Sequence, residues 1–184
     1  VSDYLKNAMI GKGLKNKNYI TINNVVDDFF FVSKEKEKLE KKRILHVSCF
    51  TERTKNVCGI LNAIKKVSLN RNDFELILIG SGPDFNIAKE CAKKLDLEES
   101  LVSFLGELAP ENVALWMQKS DFFVLFSYYE TSGVVIAESL CSGIPVIGTN
   151  VGGIPELINE TNGKLVPVAD EEALAQQINW MLDH

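Results

Sequence analysis

With 184 residues, 46% of them apolar and 24% charged, the chain has the make-up of an ordinary globular domain large enough for one sizeable core. Its net charge of −5 speaks against a nucleic-acid partner, which needs a basic face. No run comes near the ~20 consecutive apolar residues that span a bilayer, so no transmembrane segment is expected.

The chain opens Val1-Ser2-Asp3, with neither an initiator Met nor a charged-then-apolar leader, which predicts a fragment of a longer protein without a signal peptide. Residues 1–18 read as a short helix N-capped by Ser2, with Tyr4, Leu5 and Ala8 on one face, ending near Gly11–Gly13. Tyr19 to Ile22 alternates like a strand and Asn23–Asn24 turns it. The mixed-charge run Ser33 to Arg43 predicts a solvated linker, so residues 1–43 are taken as a crossover or linker segment and 44–184 as the domain.

From Arg43 onward, short apolar strands alternate with helices. Strands are expected at Ile44–Val47, Glu75–Ile79, Leu101–Leu105, Asp121–Phe126, Val146–Gly148 and Lys164–Pro167. Helices are expected at Val57–Val67, Asn86–Leu95, Ala114–Lys119, Gly133–Ser142 and Glu171–Leu182, with a helical turn at Pro155–Asn159. This alternation predicts an α/β fold, a doubly wound parallel sheet of Rossmann-like type. Ligands of such sheets bind off the carboxyl ends of the strands.

The four cysteines, Cys49, Cys58, Cys91 and Cys141, lie at wide, irregular spacings in or beside apolar runs. Reduced thiols are expected rather than disulfides or a zinc framework, and with them a cytoplasmic location. His46 and His184 are the only histidines, too few and too far apart for a metal site, so no metal is expected.

Chemistry concentrates after the strands. The first strand runs into Ser48-Cys49-Phe50-Thr51-Glu52-Arg53-Thr54-Lys55 before a helix. A cation at a helix start opposes the helix dipole, so Lys55 needs a reason, and a bound diphosphate would supply one. The second strand ends in Gly80-Ser81-Gly82-Pro83, where glycines let backbone approach a ligand. The dinucleotide fingerprint is broken, because Phe85 stands where its third glycine belongs, and a dehydrogenase is excluded on that ground. The most informative stretch is Phe126 to Gly143. Here a polar turn with Glu130, Thr131, Ser132 and Gly133 leads into a helix apolar on nearly every side, which predicts burial. Glu138 in its middle then requires a polar partner. Amides at the helix start, at Gly133 and Val134, form an anion site beside the Ser132 hydroxyl.

Glu130, seven intervening residues, Glu138 and the closing Cys141-Ser142-Gly143-Ile144-Pro145 resemble the donor motif of the group 1 (family 4) retaining glycosyltransferases of GT-B architecture. Ile22-Asn23-Asn24-Val25-Val26-Asp27, Phe104-Leu105-Gly106, Gly152-Gly153-Ile154-Pro155-Glu156 and Asn162-Gly163 are similar to further family segments, in the same order. The resemblance implies that the chain is the nucleotide-sugar-binding half of a GT-B enzyme. It places the catalytic Glu130 by the transferred sugar, Glu138 on the nucleotide ribose, and Lys55, Gly82, Ser132, Gly133 and Val134 around the donor. The family's loop also carries an Arg directly after the first strand. Here Cys49 or Phe50 holds that position, and Arg53 is the nearest substitute.

The implied reaction is metal-independent transfer of a hexose-type sugar from a nucleoside diphosphate sugar to an acceptor hydroxyl, with the anomeric configuration kept and no cofactor. The acceptor, a glycan or lipid-linked sugar, would come through an N-terminal domain absent from this chain, and that half could rest on a membrane. The fragment alone is expected to bind donor weakly and transfer nothing. A nucleotide-sugar epimerase or hydrolase, and a non-catalytic nucleotide-sugar-binding module, are the alternatives. Base, sugar and acceptor are left open.

Overall fold

The computed structural model describes residues 2–15, 18–31, 40–97 and 99–184. Among these residues six strands form one sheet: β1 (Lys42–Val47), β2 (Phe74–Ile79), β3 (Val102–Gly106), β4 (Phe122–Leu125), β5 (Val146–Thr149) and β6 (Gly163–Val166). They are all parallel and lie in the order β3-β2-β1-β4-β5-β6. The expected doubly wound Rossmann-like sheet is therefore borne out.

Alternation along each strand divides the core. Ile44, Leu76, Leu78, Phe122 and Val124 face one side, where α3 (Val57–Ser68) and α7 (Glu171–Asp183) pack together and α4 (Phe85–Lys94) packs on α3. Leu45, Ile77, Ile79, Phe123 and Leu125 face the other, under α5 (Pro110–Gln118) and α6 (Val134–Cys141). Ile60, Leu61, Ile64 and Val67 supply the buried stripe of α3 that its 3.6-residue period anticipates. Burying such side chains contributes about 1.5–3 kcal/mol each, which is why the strands read as unbroken apolar runs.

The chain reverses direction across the sheet at β1, with β2 on one flank and β4 on the other. The β1–β4 ladder is short, pairing only Ile44 with Phe122 and Leu45 with Phe123. Beyond it the two strands part, and that crevice at their carboxyl ends is where ligands of this fold class sit.

Three expectations need correction. Tyr19–Ile22 forms no strand: Ile20 and Ile22 are 81% and 76% exposed in irregular backbone. Alternation creates a strand only where a sheet edge accepts it, and the edges here are β3 and β6. The helix expected at Ala114–Lys119 starts earlier, because Pro110 suits its first turn. The segment before residue 43 is more than a linker. Helix α1 (Asp3–Gly11) is capped by Ser2, whose hydroxyl accepts from the Leu5 N–H at 3.2 Å and donates to the Thr131 carbonyl at 2.5 Å. The amides of Asp3 and Tyr4 donate to the Glu156 carboxylate at 3.0 and 2.6 Å, and Phe30 is buried in the core under α5. Most of the Ser33–Arg43 charged run lies outside the described residues; its end, Lys42 and Arg43, opens β1. Among the described residues no helix is long and apolar enough to cross a membrane.

Candidate functional site

A cleft of ≈ 440 Å³ opens at the carboxyl ends of β1 and β4, with Lys55, Glu130, Ser132, Gly133, Val134 and Glu138 on its walls. The structure thus brings together six of the seven residues singled out from the sequence. The seventh, Gly82, does not line this cleft. A Cβ there would stand 2.6–2.7 Å from the backbone O and N of Phe50, so the glycine lets two loops close on each other. Backbone bonds complete that closure, from Phe50 N–H to Ser81 at 2.8 Å and from Asp84 N–H back to Phe50 at 3.0 Å. A ligand is not needed to explain Gly82.

Lys55 also sits differently from expectation. It ends the short helix α2 (Glu52–Lys55), where a cation favours the dipole, rather than opposing the start of α3. The α3 start is already capped: Asn56 accepts from Gly59 N–H at 3.2 Å, and the Glu52 carboxylate accepts from Val57 and Cys58 N–H at 2.9 and 3.1 Å. The dipole argument for Lys55 therefore fails. What Lys55 does instead is reach across the cleft to form an ion pair with Glu130.

Glu130 is held from three directions. Its Oε1 accepts from Lys55 and, at 3.0 Å, from the buried Ser127 hydroxyl. Its backbone lies against Gly152, at φ +60°, where any Cβ would overlap the Glu130 carbonyl. Gly153 similarly leaves only 2.5 Å to the Thr131 carbonyl. The Gly152-Gly153 pair is thus a clamp on the Glu130 turn, a role that turn chemistry alone does not disclose.

Helix α6 is not buried on every side. Ile136 and Ser139 are its buried residues, while Val134 is 36% exposed at the cleft. The carboxylate of Glu138 is accordingly half-buried and faces the cleft, without a hydrogen bond or ion pair to another described residue. Burial raises its affinity for protons above the ordinary carboxylate value, and the nearby negative charge of Asp27 adds to this. The first amides of α6 have no acceptor within the helix. Ser132 already receives a bond from the Asn24 side chain at 3.1 Å.

Sequence reasoning gives no site role to Ser48, Cys49, Ser127 or His46. Ser48 and the exposed Cys49 line the cleft at the end of β1. His46, wholly buried in β1, bonds the Val124 carbonyl at 2.9 Å and the Ser48 hydroxyl at 2.7 Å. Desolvation lowers its pKa to about 4, partly opposed by the bond to Val124, so the ring is neutral. The signal was a histidine inside an otherwise apolar strand, two residues before a serine. Arg53 is exposed on α2 and is not among the cleft residues.

A family model described as glycosyl transferases group 1 matches residues 41–184. N-acetyl-alpha-D-glucosaminyl L-malate synthase of Bacillus anthracis is 33% identical over 176 residues, covering 91% of this chain and 45% of that protein. The chain spans about half the length, or less, of the curated relatives it matches. Among solved structures, Anabaena HepE in complex with UDP and glucose superposes with a TM-score of 0.83 at 24% identity, over 97% of this chain and 51% of that one. The C-terminal domain of a glycosyl transferase group 1 family protein from Francisella tularensis gives 0.75 at 23% identity, over 87% of this chain and 89% of that one. The chain belongs to the group 1 glycosyltransferases and has the Rossmann-like fold of their C-terminal domain, one half of the GT-B architecture.

Proposed function

We propose that this chain is the donor-binding half of an enzyme that moves a hexose-type sugar from a nucleoside diphosphate to an acceptor hydroxyl, with retention at the anomeric carbon. The observation that carries the reading is the convergence of Lys55, Glu130, Glu138 and the α6 start on one cleft at the β1/β4 crevice. The complex of HepE with UDP and glucose supports a nucleotide-sugar ligand for a cleft of this fold.

Each group has a part that follows from its chemistry. The α6 amides and the Lys55 ammonium meet the diphosphate, whose negative charge grows as the glycosidic bond breaks. Preorganised donors of this kind stabilise a leaving group without help from a metal ion. Glu138, an acceptor-only carboxylate facing the cleft, pairs with the two vicinal hydroxyls of a ribose. Burial makes it more basic and therefore a stronger acceptor. Glu130, held by Ser127 and the Gly152 turn, stands beside the transferred sugar, where a carboxylate steadies oxocarbenium-like charge. The acceptor would enter through a partner domain facing this cleft.

A thermal-shift and calorimetric titration with UDP, GDP and ADP, in EDTA and with NAD alongside, tests the reading. Stabilisation by one nucleoside diphosphate, lost in Lys55→Ala and indifferent to EDTA, is the expected result. A response to NAD alone, or to no diphosphate, would refute it.

A further inference from the structure

Beneath Lys55 the cleft wall contains a hydrogen-bond chain that the donor reading does not use. His46 is wholly buried among apolar neighbours, where an imidazole with an unpaired nitrogen is costly. Both of its nitrogens are paired. The ladder between β1 and β4 ends at Leu45 and Phe123, and the next carbonyl of β4, that of Val124, is met by His46 Nδ1 at 2.9 Å. A carbonyl only accepts, so Nδ1 carries the ring proton and Nε2 is left as an acceptor. The hydrogen in the 2.7 Å contact between Nε2 and Ser48 Oγ is therefore the serine's. Turning the ring over would put carbon atoms opposite both partners and lose both bonds, and Phe123, parallel to it at 6.3 Å and 9°, and Phe50, edge-on at 6.2 Å and 90°, pack around it as it stands.

An ordinary serine rotates its hydroxyl to donate or to accept as a ligand requires. Ser48 is denied that choice. Its hydrogen points back to His46, and only oxygen lone pairs remain for the cleft, which it lines together with Lys55 and Glu130. A phosphate oxygen placed there would meet lone pairs with lone pairs. A sugar hydroxyl or an acetamido N–H would meet an acceptor.

We propose that Ser48, fixed in polarity by His46, is an acceptor-only contact that recognises a hydrogen-bond donor on the transferred sugar and not the diphosphate. The proposal rests on the donor-site reading above. Ser48 is the residue that touches the ligand; His46 is a positioning residue that acts through it.

The test is a calorimetric titration of the whole chain with UDP, GDP and ADP and with UDP-glucose, GDP-glucose and ADP-glucose. In Ser48→Ala the affinity for the bare diphosphate stays within about two-fold, while that for the nucleotide-glucose falls about three- to ten-fold, the worth of one neutral hydrogen bond. His46→Gln, whose amide can donate to Val124 and accept from Ser48, keeps the preference for the sugar-bearing ligand. His46→Phe loses it while still binding the bare diphosphate. Equal losses for both ligands in Ser48→Ala, or an unchanged preference, overturn the proposal and leave the donor site standing. A wild-type chain that binds none of the six overturns the donor-site reading and this proposal with it. A ligand-free measurement stands apart from both: nitrogen-15 shifts of His46 near neutral pH should show a proton on Nδ1 and none on Nε2. The reverse tautomer overturns the proposal whatever the binding data say.

Discussion

Replacing Glu130 with Gln separates its ion pair with Lys55 from the ligand contact it is argued to make. Removing the Glu130 charge frees Lys55, whose side chain is 22% exposed and can turn to water, so stability should fall by no more than about 1 kcal/mol. The reverse truncation, Lys55→Ala, is costlier. It leaves a carboxylate whose side chain is only 10% exposed with Ser127 as its one remaining donor among the described residues, and a loss of about 2 kcal/mol is expected. The binding effects run in the opposite order. A carboxylate roughly 8 Å from a phosphate, at an effective dielectric of about 40, opposes binding by about 1 kcal/mol for each unit of phosphate charge, or at least roughly five-fold in Kd. Glu130→Gln should therefore tighten the bare nucleoside diphosphate about five-fold or more, because Lys55 is released as well, whereas Lys55→Ala weakens it. Urea unfolding followed by circular dichroism gives the stability order, and calorimetry gives the affinities. Weaker diphosphate binding in Glu130→Gln would refute the argument, since Glu130 would then be holding the phosphate site together rather than competing for its lysine.

Other consequences are as specific. In the fold His46 takes up a proton only near pH about 4, against an ordinary value of 6.5, so between these values the unfolded chain binds the extra proton. This residue should cost stability at about 1.4 kcal/mol per pH unit as pH falls through that window, and His46→Gln should flatten the slope of the urea midpoint against pH. Gly152→Ala places a Cβ on the Glu130 carbonyl at a left-handed φ; a loss of about 2 kcal/mol or more and weakened diphosphate binding should appear together in melting and titration. Ser2→Ala removes both the α1 cap and the bond to Thr131, and a loss of about 1–2 kcal/mol in unfolding free energy is expected. An unchanged midpoint would show that α1 is not coupled to the Glu130 turn.

How far the sequence could be read depended on whether a feature was set by neighbours along the chain or across it. Strands such as Phe74–Ile79 and helices such as α3 carry their period and their burial in the same few residues, and both were legible. Tyr19–Ile22 has a strand's alternation but no edge to pair with, a fact that belongs to the sheet and not to the segment. Gly82 looked like a ligand glycine because the loop that fills the space above it, at Phe50, lies 32 residues away. The dipole argument points to Lys55 for a wrong reason, since Asn56 and Glu52 make the start of α3 self-sufficient. The Glu130–Glu138 spacing was legible because both lie on one turn and helix. Gly152 and Asn24, which fix that turn and its serine, join it only through the fold, whereas Ser127 stands three residues before Glu130 in the same stretch.

These pairings imply an order of events in the cleft. Three polar groups already have internal partners: Lys55 has Glu130, Ser132 has Asn24, and the Ser48 hydrogen has His46. The buried His46 link gains nothing by opening, because its nitrogen would be stranded away from water. The Lys55–Glu130 link is different, since both side chains face the cleft and a diphosphate offers the ammonium a second anion. On the donor reading, arrival of the diphosphate moves Lys55 from carboxylate to phosphate, and the same movement releases Glu130 toward the sugar. Phosphate recognition and exposure of the carboxylate then become one event. A ligand lacking the diphosphate, such as a free hexose, would leave the ion pair closed and meet a Glu130 still facing its lysine. Glucose alone should accordingly bind too weakly to measure in wild type, and adding a nucleoside diphosphate should make its binding detectable. Equal glucose affinity with and without the diphosphate would mean that the ion pair does not gate the carboxylate.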